Sequence, residues 1–311
     1  MRTCFGPVFP VLPSYRDTGE LDFERTASYV RYLADNGAGA IMTTAGTTQF
    51  NLLSEAEIMA VNATVGDHFP GRLILGVPLA AEMFLMPFLA ATLERHKRAG
   101  ILINYPERFY SQGEMAGFFG RIGQVCPAPI YVHGLQLRTA HGGTQDYTGE
   151  VVTAILECCG NFVGMKEECS SYEAGFRLCS ALSNRPEFEM IVAGGSMRRF
   201  LLLRAAGAQS FLAGVGSLFP SVDIAFFRHI TAGAIREASL LISEIETPLF
   251  AVFMDIGWHK ALRYAAKSIG LIGAGERRPM AGPEPADCSR IDRVLRVLED
   301  NMQGLHSAGV I

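Results

Sequence analysis

The chain has 311 residues, 49% hydrophobic and 19% charged, enough apolar material for one large α/β domain or two ordinary ones. Its net charge of -4 gives no reason to expect nucleic acid or an acidic membrane as a partner. The first residues lack an apolar signal core, the apolar run from Val77 to Leu93 is broken by Pro78, Glu82 and Pro87, and the seven cysteines are scattered, so a soluble, reduced, cytoplasmic protein is expected.

Short apolar runs alternate with segments of helical period along most of the chain. Candidate strands begin near Phe5 (FGPVFPVL), Gly39 (GAIMTT), Arg72 (RLILGVP), Ile101 (ILINY), Ala128 (APIYVH), Phe162 (FVGMK), Phe188 (FEMIVA) and Gln209 (QSFLAG). Their starts lie about 30 residues apart, the size of one strand-helix unit with its loops. Such a series predicts an α/β fold, a closed (β/α)8 TIM barrel. An open doubly wound sheet would want a glycine-rich phosphate turn after the first strand, and Pro10-Val11-Leu12-Pro13-Ser14 is not one. After residue 232 the strands stop. Residues 233–311 are expected to form a helical extension packed on the barrel of residues 1–232, with helices near 234–255, 259–270 and 288–304. Trp258 is read as a packing residue of that extension.

In a barrel, chemistry collects where strands end. The second strand runs into Thr43-Thr44-Ala45-Gly46-Thr47-Thr48-Gln49, whose hydroxyls and backbone N–H groups can face a carboxylate. The plainer reading is a turn leading to a helix capped by Ser54-Glu55-Ala56-Glu57. The fifth strand ends in Tyr131-Val132-His133, and a single strand histidine serves either structure or proton transfer. The seventh ends in Gly194-Gly195-Ser196, where small residues admit a ligand and Ser196 can cap a helix.

The sixth strand, Phe162-Val163-Gly164-Met165-Lys166, ends on one of only four lysines in the chain. Alternation is expected to put Phe162, Gly164 and Lys166 on one face. A lysine closing an apolar strand either snorkels to water or is functional. Burial there disfavours the ammonium and frees the amine to attack a carbonyl. The histidine spacings offer no i, i+4 pair and no facial triad, and there is no nucleotide fingerprint, so no metal and no cofactor are expected.

These pieces, in this order over nearly the whole chain, resemble the dihydrodipicolinate synthase/N-acetylneuraminate lyase family of class I lyases. Val163-Gly164-Met165-Lys166-Glu167 is similar to the family's V-G-I-K-E, and Leu53-Ser54-Glu55-Ala56-Glu57 to its L-S/T-x-x-E. Gly207-Ala208 before the eighth strand, and Gly270 with Arg277-Arg278-Pro279, add to the match. The resemblance implies that Lys166 forms a Schiff base with a 2-oxo acid, and that the protein is a homo-oligomer, dimer or tetramer. Against the family's G-T-T-G-E stand Ala45-Gly46-Thr47-Thr48-Gln49, so Thr47 keeps the hydroxyl that helps hold the substrate carboxylate, while Gly46 replaces the first threonine. Thr48, Gly194 and Leu212 of the eighth strand complete the expected substrate-binding set. Arg138-Thr139 matches an R-T whose arginine meets the distal end of the second substrate. His133 takes the place of the proton-shuttling tyrosine, and the aromatic pair expected after the fourth strand is missing from Pro106-Glu107-Arg108-Phe109-Tyr110.

The resulting expectation is an aldolase or dehydratase acting on a small 2-oxo acid or keto sugar acid through Lys166, with His133 moving protons. An imidazole, with a reference pKa of ~6.5, is expected to titrate near neutrality in that role. The alternative is a paralogue that binds a keto acid or sugar acid without turnover, favoured by the lost tyrosine and threonine and opposed by the intact motif around Lys166.

Overall fold

The computed structural model describes residues 5–311 except Ala45, Glu107, Ala140, His141 and Gly195, so one residue of the threonine turn and one of the Gly194-Gly195-Ser196 turn lie outside the described residues. Eight parallel strands follow in chain order: β1 (Val8–Pro10), β2 (Ala40–Met42), β3 (Arg72–Gly76), β4 (Gly100–Ile103), β5 (Ile130–His133), β6 (Phe162–Glu167), β7 (Glu189–Val192) and β8 (Ser210–Phe211). Val8 bridges Leu212 in parallel, and Ala213 N donates to Val8 O at 2.7 Å, so β8 returns to β1 and the barrel closes. Each predicted strand is present, and the (β/α)8 reading holds.

Helices α1 (Phe23–Asp35), α2 (Glu55–His68), α3 (Glu82–Arg95), α4 (Gln112–Val125), α5 (Gly149–Cys158), α6 (Tyr172–Ala181), α7 (Met197–Arg204) and α8 (Pro220–Ala232) each follow one of the strands. Local chemistry sets where most of them begin. Asp22, Ser54, Ser111, Thr148, Ser171 and Ser196 each accept a hydrogen bond from the N–H three residues on, meeting donors that no helical carbonyl can reach. At Ser54 the cap is reciprocal, because Ser54 N also donates to Glu57 Oε2 at 2.9 Å. A small hairpin, Leu137–Arg138 against Thr144–Gln145, sits between β5 and α5.

Two apolar layers follow from the strand period of two. Outward residues such as Ile101, Ile103, Met165 and Val192 join the helices in one large cluster. Inward residues Val8, Ala40, Met42, Ile74, Leu102, Tyr131, Ile191 and Leu212 fill the barrel. Toward the base of the barrel, Arg72 meets both the Tyr131 hydroxyl and Glu189. Phe162 departs from the expected face. The pairing of β5 with β6 slips between Ile130/Phe162 and Tyr131/Gly164, so Phe162 turns outward onto Phe119 of α4 and Phe188, while Gly164 and Lys166 keep the inward face.

Gly164 leaves the space that Tyr131 occupies. A Cβ there would stand 2.5 Å from Glu189 O and 2.8 Å from the Tyr131 ring. Gly164→Ala is therefore expected to cost about 1–3 kcal/mol, typical of overpacking a filled core. Denaturant unfolding checks this, and an unchanged midpoint would refute it.

Beyond α8, residues 235–256 form one helical run: α9 (Ile235–Leu241), a π-helical stretch (Ile242–Glu246) and α10 (Thr247–Ile256). Pro248 cannot donate an amide hydrogen, and Thr247 Oγ1 instead donates to Ile242 O at 2.8 Å where the helix widens. Then come α11 (Trp258–Ser268) and α12 (Pro285–Ser307). Trp258 packs on Phe250 and Phe253, in keeping with a packing role. Arg277 ties this region back to the barrel, with Arg277 Nη2 2.7 Å from Glu57 Oε1 and Arg277 Nη1 donating to Leu52 O at 3.1 Å. Among the described residues, no helix is long and apolar enough to cross a membrane.

Candidate active site

The register of β5 on β6 sets His133 directly beside Lys166. Both face inward, one layer above the apolar filling, and both are buried, with exposures of 1% and 2%. Lys166 Nζ lies 2.6 Å from His133 Nε2 and donates to Glu168 Oε2 at 2.6 Å. Glu168 Oε2 is in turn 2.8 Å from His133 Nε2. An amine, an imidazole and a carboxylate thus share one small triangle. Glu167, one residue nearer Lys166, points the opposite way and is gripped by Arg199 of α7.

Burial and the adjacent Lys166 ammonium both oppose charge on His133 and hold its pKa down at about 4, against a weaker pull from Glu168. The expectation of an ionisation near neutrality is corrected accordingly. Burial pushes the Glu168 carboxyl up, but Lys166 and His133 together outweigh it and keep Glu168 ionised well below the usual carboxylate range.

A histidine near 6.5 when unfolded and about 4 when folded binds its proton more readily in the unfolded chain. Folding stability is therefore full above pH 6.5 and falls as the pH drops toward 4, by about 3 kcal/mol at most. Glu168, depressed in the folded state, adds a further loss below the ordinary carboxylate range. The melting temperature is expected to fall as the pH drops through this window in the wild type and to change far less between pH 6.5 and 4 in His133→Phe.

The turn after β2 is anchored from outside the barrel. Thr43 Oγ1 donates to Asn62 Oδ1 of α2 at 2.6 Å and accepts from Gly76 N at 3.0 Å, and Asn62 Nδ2 donates to Gly76 O at 2.9 Å. Thr44 and Gln49 take left-handed backbone conformations, φ 54° and 57°, unusual for residues with a side chain. Between them Gly46–Thr48 makes a single tight helical turn, leaving Thr47 half-buried and Thr48 buried, its hydroxyl without a partner among the described residues. Phe50 then lies edge-on to the His133 ring, centroids 6.0 Å apart, which carries this turn to the histidine.

The other candidates are dispersed. Arg138 stands exposed on the hairpin, where its backbone pairs with Arg108 and accepts from Phe109 N at 3.0 Å. Leu212 is one of the apolar residues filling the barrel. Gly194 is exposed at φ 79°, and the neighbouring Ser196 caps α7. Glu168 and Phe50 were not anticipated from sequence. The signal for Glu168 was present, since it stands two residues after Lys166 and so shares its face. Nothing in the sequence pointed to Phe50.

Comparison with known proteins bears on this arrangement. The Dihydrodipicolinate synthetase family profile matches residues 5–296. A 4-hydroxy-tetrahydrodipicolinate synthase of Flavobacterium psychrophilum is 21% identical over 96% of this chain and 99% of its own length. A Saccharopolyspora erythraea protein named "probable 5-dehydro-4-deoxyglucarate dehydratase" is 23% identical over 93% of this chain and 91% of its own. Among solved structures, YagE, a prophage protein of the dihydrodipicolinic acid synthase family from E. coli K12 in complex with pyruvate, superposes with a TM-score of 0.83 at 15% identity, covering 95% of this chain and 99% of that one. The 4-hydroxy-tetrahydrodipicolinate synthase of Methylacidiphilum fumariolicum SolV gives 0.83 at 18% identity, covering 97% and 99%. At those identities the structural likeness speaks to the fold, while the profile match extends over nearly the whole sequence. The chain belongs to the dihydrodipicolinate synthetase family, a family of lyases.

Proposed function

We propose that the protein is a lyase, an aldolase or dehydratase, acting on a small 2-oxo acid or keto sugar acid through a Schiff base at Lys166. The observation that carries this reading is the buried Lys166 Nζ, within 2.6 Å of both His133 Nε2 and Glu168 Oε2. An ammonium cannot attack a carbonyl, so imine formation needs a place for its proton. His133 Nε2 receives it. As Lys166 loses its charge, the main electrostatic opposition to an imidazolium disappears, and Glu168 stabilises the cation that forms. The amine then adds to the 2-oxo carbon, the former carbonyl oxygen leaves as water with protons returned by the same pair, and a protonated imine remains.

That iminium draws electrons from the adjacent carbon, weakening its bond to hydrogen or to the next carbon. With the positive charge back at Nζ, His133 is again neutral and is placed to act as the base. It takes the proton from the adjacent carbon in a dehydration, or from the distal hydroxyl in a retro-aldol cleavage. In this reading the backbone and hydroxyls of Gly46, Thr47 and Thr48 hold the 2-oxo carboxylate, and Arg138 faces the distal end of longer substrates.

The test is borohydride reduction of the wild-type protein in the presence of a panel of 2-oxo acids, followed by peptide mapping. Lys97, Lys260 and Lys267 are exposed. A single adduct on Lys166 is expected. Absence of an adduct across the panel would reject the Schiff-base reading, and an adduct with no turnover of any panel member would favour the binding-only paralogue.

A homo-oligomer is part of this reading. Leu79, Met83 and Phe84, at and before the start of α3, expose 46%, 72% and 58% of their surface, an apolar patch that a second copy would cover. Light scattering is expected to report a dimer or tetramer, and a monomer at working concentration would refute it.

A further inference from the structure

Asn104 follows directly on β4, and its side chain is buried, 2% exposed, with neither Oδ1 nor Nδ2 hydrogen-bonded to any described residue. Its direction follows from its neighbours. Leu102 faces into the barrel and a Cβ at Gly100 would touch the inward Tyr131 ring, whereas Ile101, Ile103 and Tyr105 pack outward, Tyr105 against Phe118 and Phe119 of α4. Asn104 therefore continues the inward series. The pairing of Ile103 with Val132 makes it level with His133, which is itself level with Lys166. The same layer holds a second buried atom with no partner among the described residues, His133 Nδ1.

Buried polar atoms are almost always paired, and leaving a whole carboxamide unpaired is costly. A leucine would fit the site at no such cost. We infer that Asn104 is a specificity-determining residue that binds the substrate, its carboxamide pairing with a hydroxyl on the carbon chain beyond the imine carbon. A hydroxyl both donates and accepts, and the carboxamide offers Oδ1 for the first and Nδ2 for the second. The ligand class this selects is a hydroxylated 2-oxo acid over its deoxygenated counterpart. The inference rests on the Lys166 reading and narrows the substrate within it.

The matched probes are 4-hydroxy-2-oxobutyrate and 2-oxobutyrate, which differ by one hydroxyl. The readout is the concentration giving half-maximal borohydride-trapped adduct, by intact mass, in the wild type, in Asn104→Leu and in the smaller Asn104→Ala. The wild type is expected to favour the hydroxylated acid by about 10-fold or more, the scale of one buried hydrogen bond to a ligand. Either variant should bring the two acids within about threefold of each other. Without ligand, Asn104→Leu should melt no lower than the wild type, since an unpaired polar group is replaced by an apolar one of similar shape. Equal trapping of both acids by the wild type, a preference that survives in the variants, or a clear loss of ligand-free stability in Asn104→Leu would each overturn the inference with the Lys166 reading intact. No adduct with either acid would overturn the inference, and no adduct across the whole 2-oxo acid panel would overturn the Lys166 reading with it.

Discussion

Lys166→Arg is expected to abolish both borohydride-trapped adducts and turnover, with the fold retained. Arginine keeps the positive charge and most of the bulk, so Glu168 keeps an ion-pair partner and the layer above Leu102 and Ile191 stays filled. It does not lose its proton in a protein, and so offers no free amine to a carbonyl. Any route through an imine therefore ends. Loss of the covalent path should leave turnover at or below the detection limit, because the remaining groups only position the substrate. The controls are an unchanged far-ultraviolet spectrum and a melting midpoint within a few degrees. A Lys166→Arg protein that still turned over its substrate would show that the lysine is a structural cation, and the proposed chemistry would have to be abandoned.

His133→Phe is expected to separate the two halves of the reaction. The aromatic ring keeps the edge contact with Phe50 and much of the volume, but no nitrogen remains to carry a proton. Glu168 still contacts Lys166, so slow imine formation survives and the Lys166 adduct remains trappable. Turnover, which needs a proton moved at the carbon next to the imine, should fall by about a hundred- to ten-thousand-fold. In the wild type the base is active when neutral, so turnover should fall as the pH drops through about 4 and should show no histidine-dependent change near neutrality. Full activity in His133→Phe would make the histidine a structural partner of Glu168. A neutral-range limb that vanished in this variant would show that Lys166 does not hold His133 down during the cycle.

How far these residues could be found without coordinates depended on the range of the interactions that place them. The strand-helix repeat, the Ser54 capping box, the Ser196 cap and the shared face of Gly164 and Lys166 follow from patterns spanning at most a few residues, and they were legible. Glu168 belonged to the same class, sharing the face of Lys166 by a spacing of two. Phe162 was misassigned, because the slip between β5 and β6 is decided by pairing across strands more than 30 residues apart, not by the period of either one. Asn104 looked like one polar residue ending a strand. Only the pairing of β4 with β5 and of β5 with β6, which sets Ile103 against Val132 and His133 against Lys166, made it level with the catalytic layer, where its amide has no partner among the described residues. The histidine's acidity was likewise beyond local reading, since it comes from complete burial and an ammonium 33 positions away in the chain. Local alternation determined which way side chains point, and the register of the closed barrel decided which of them meet.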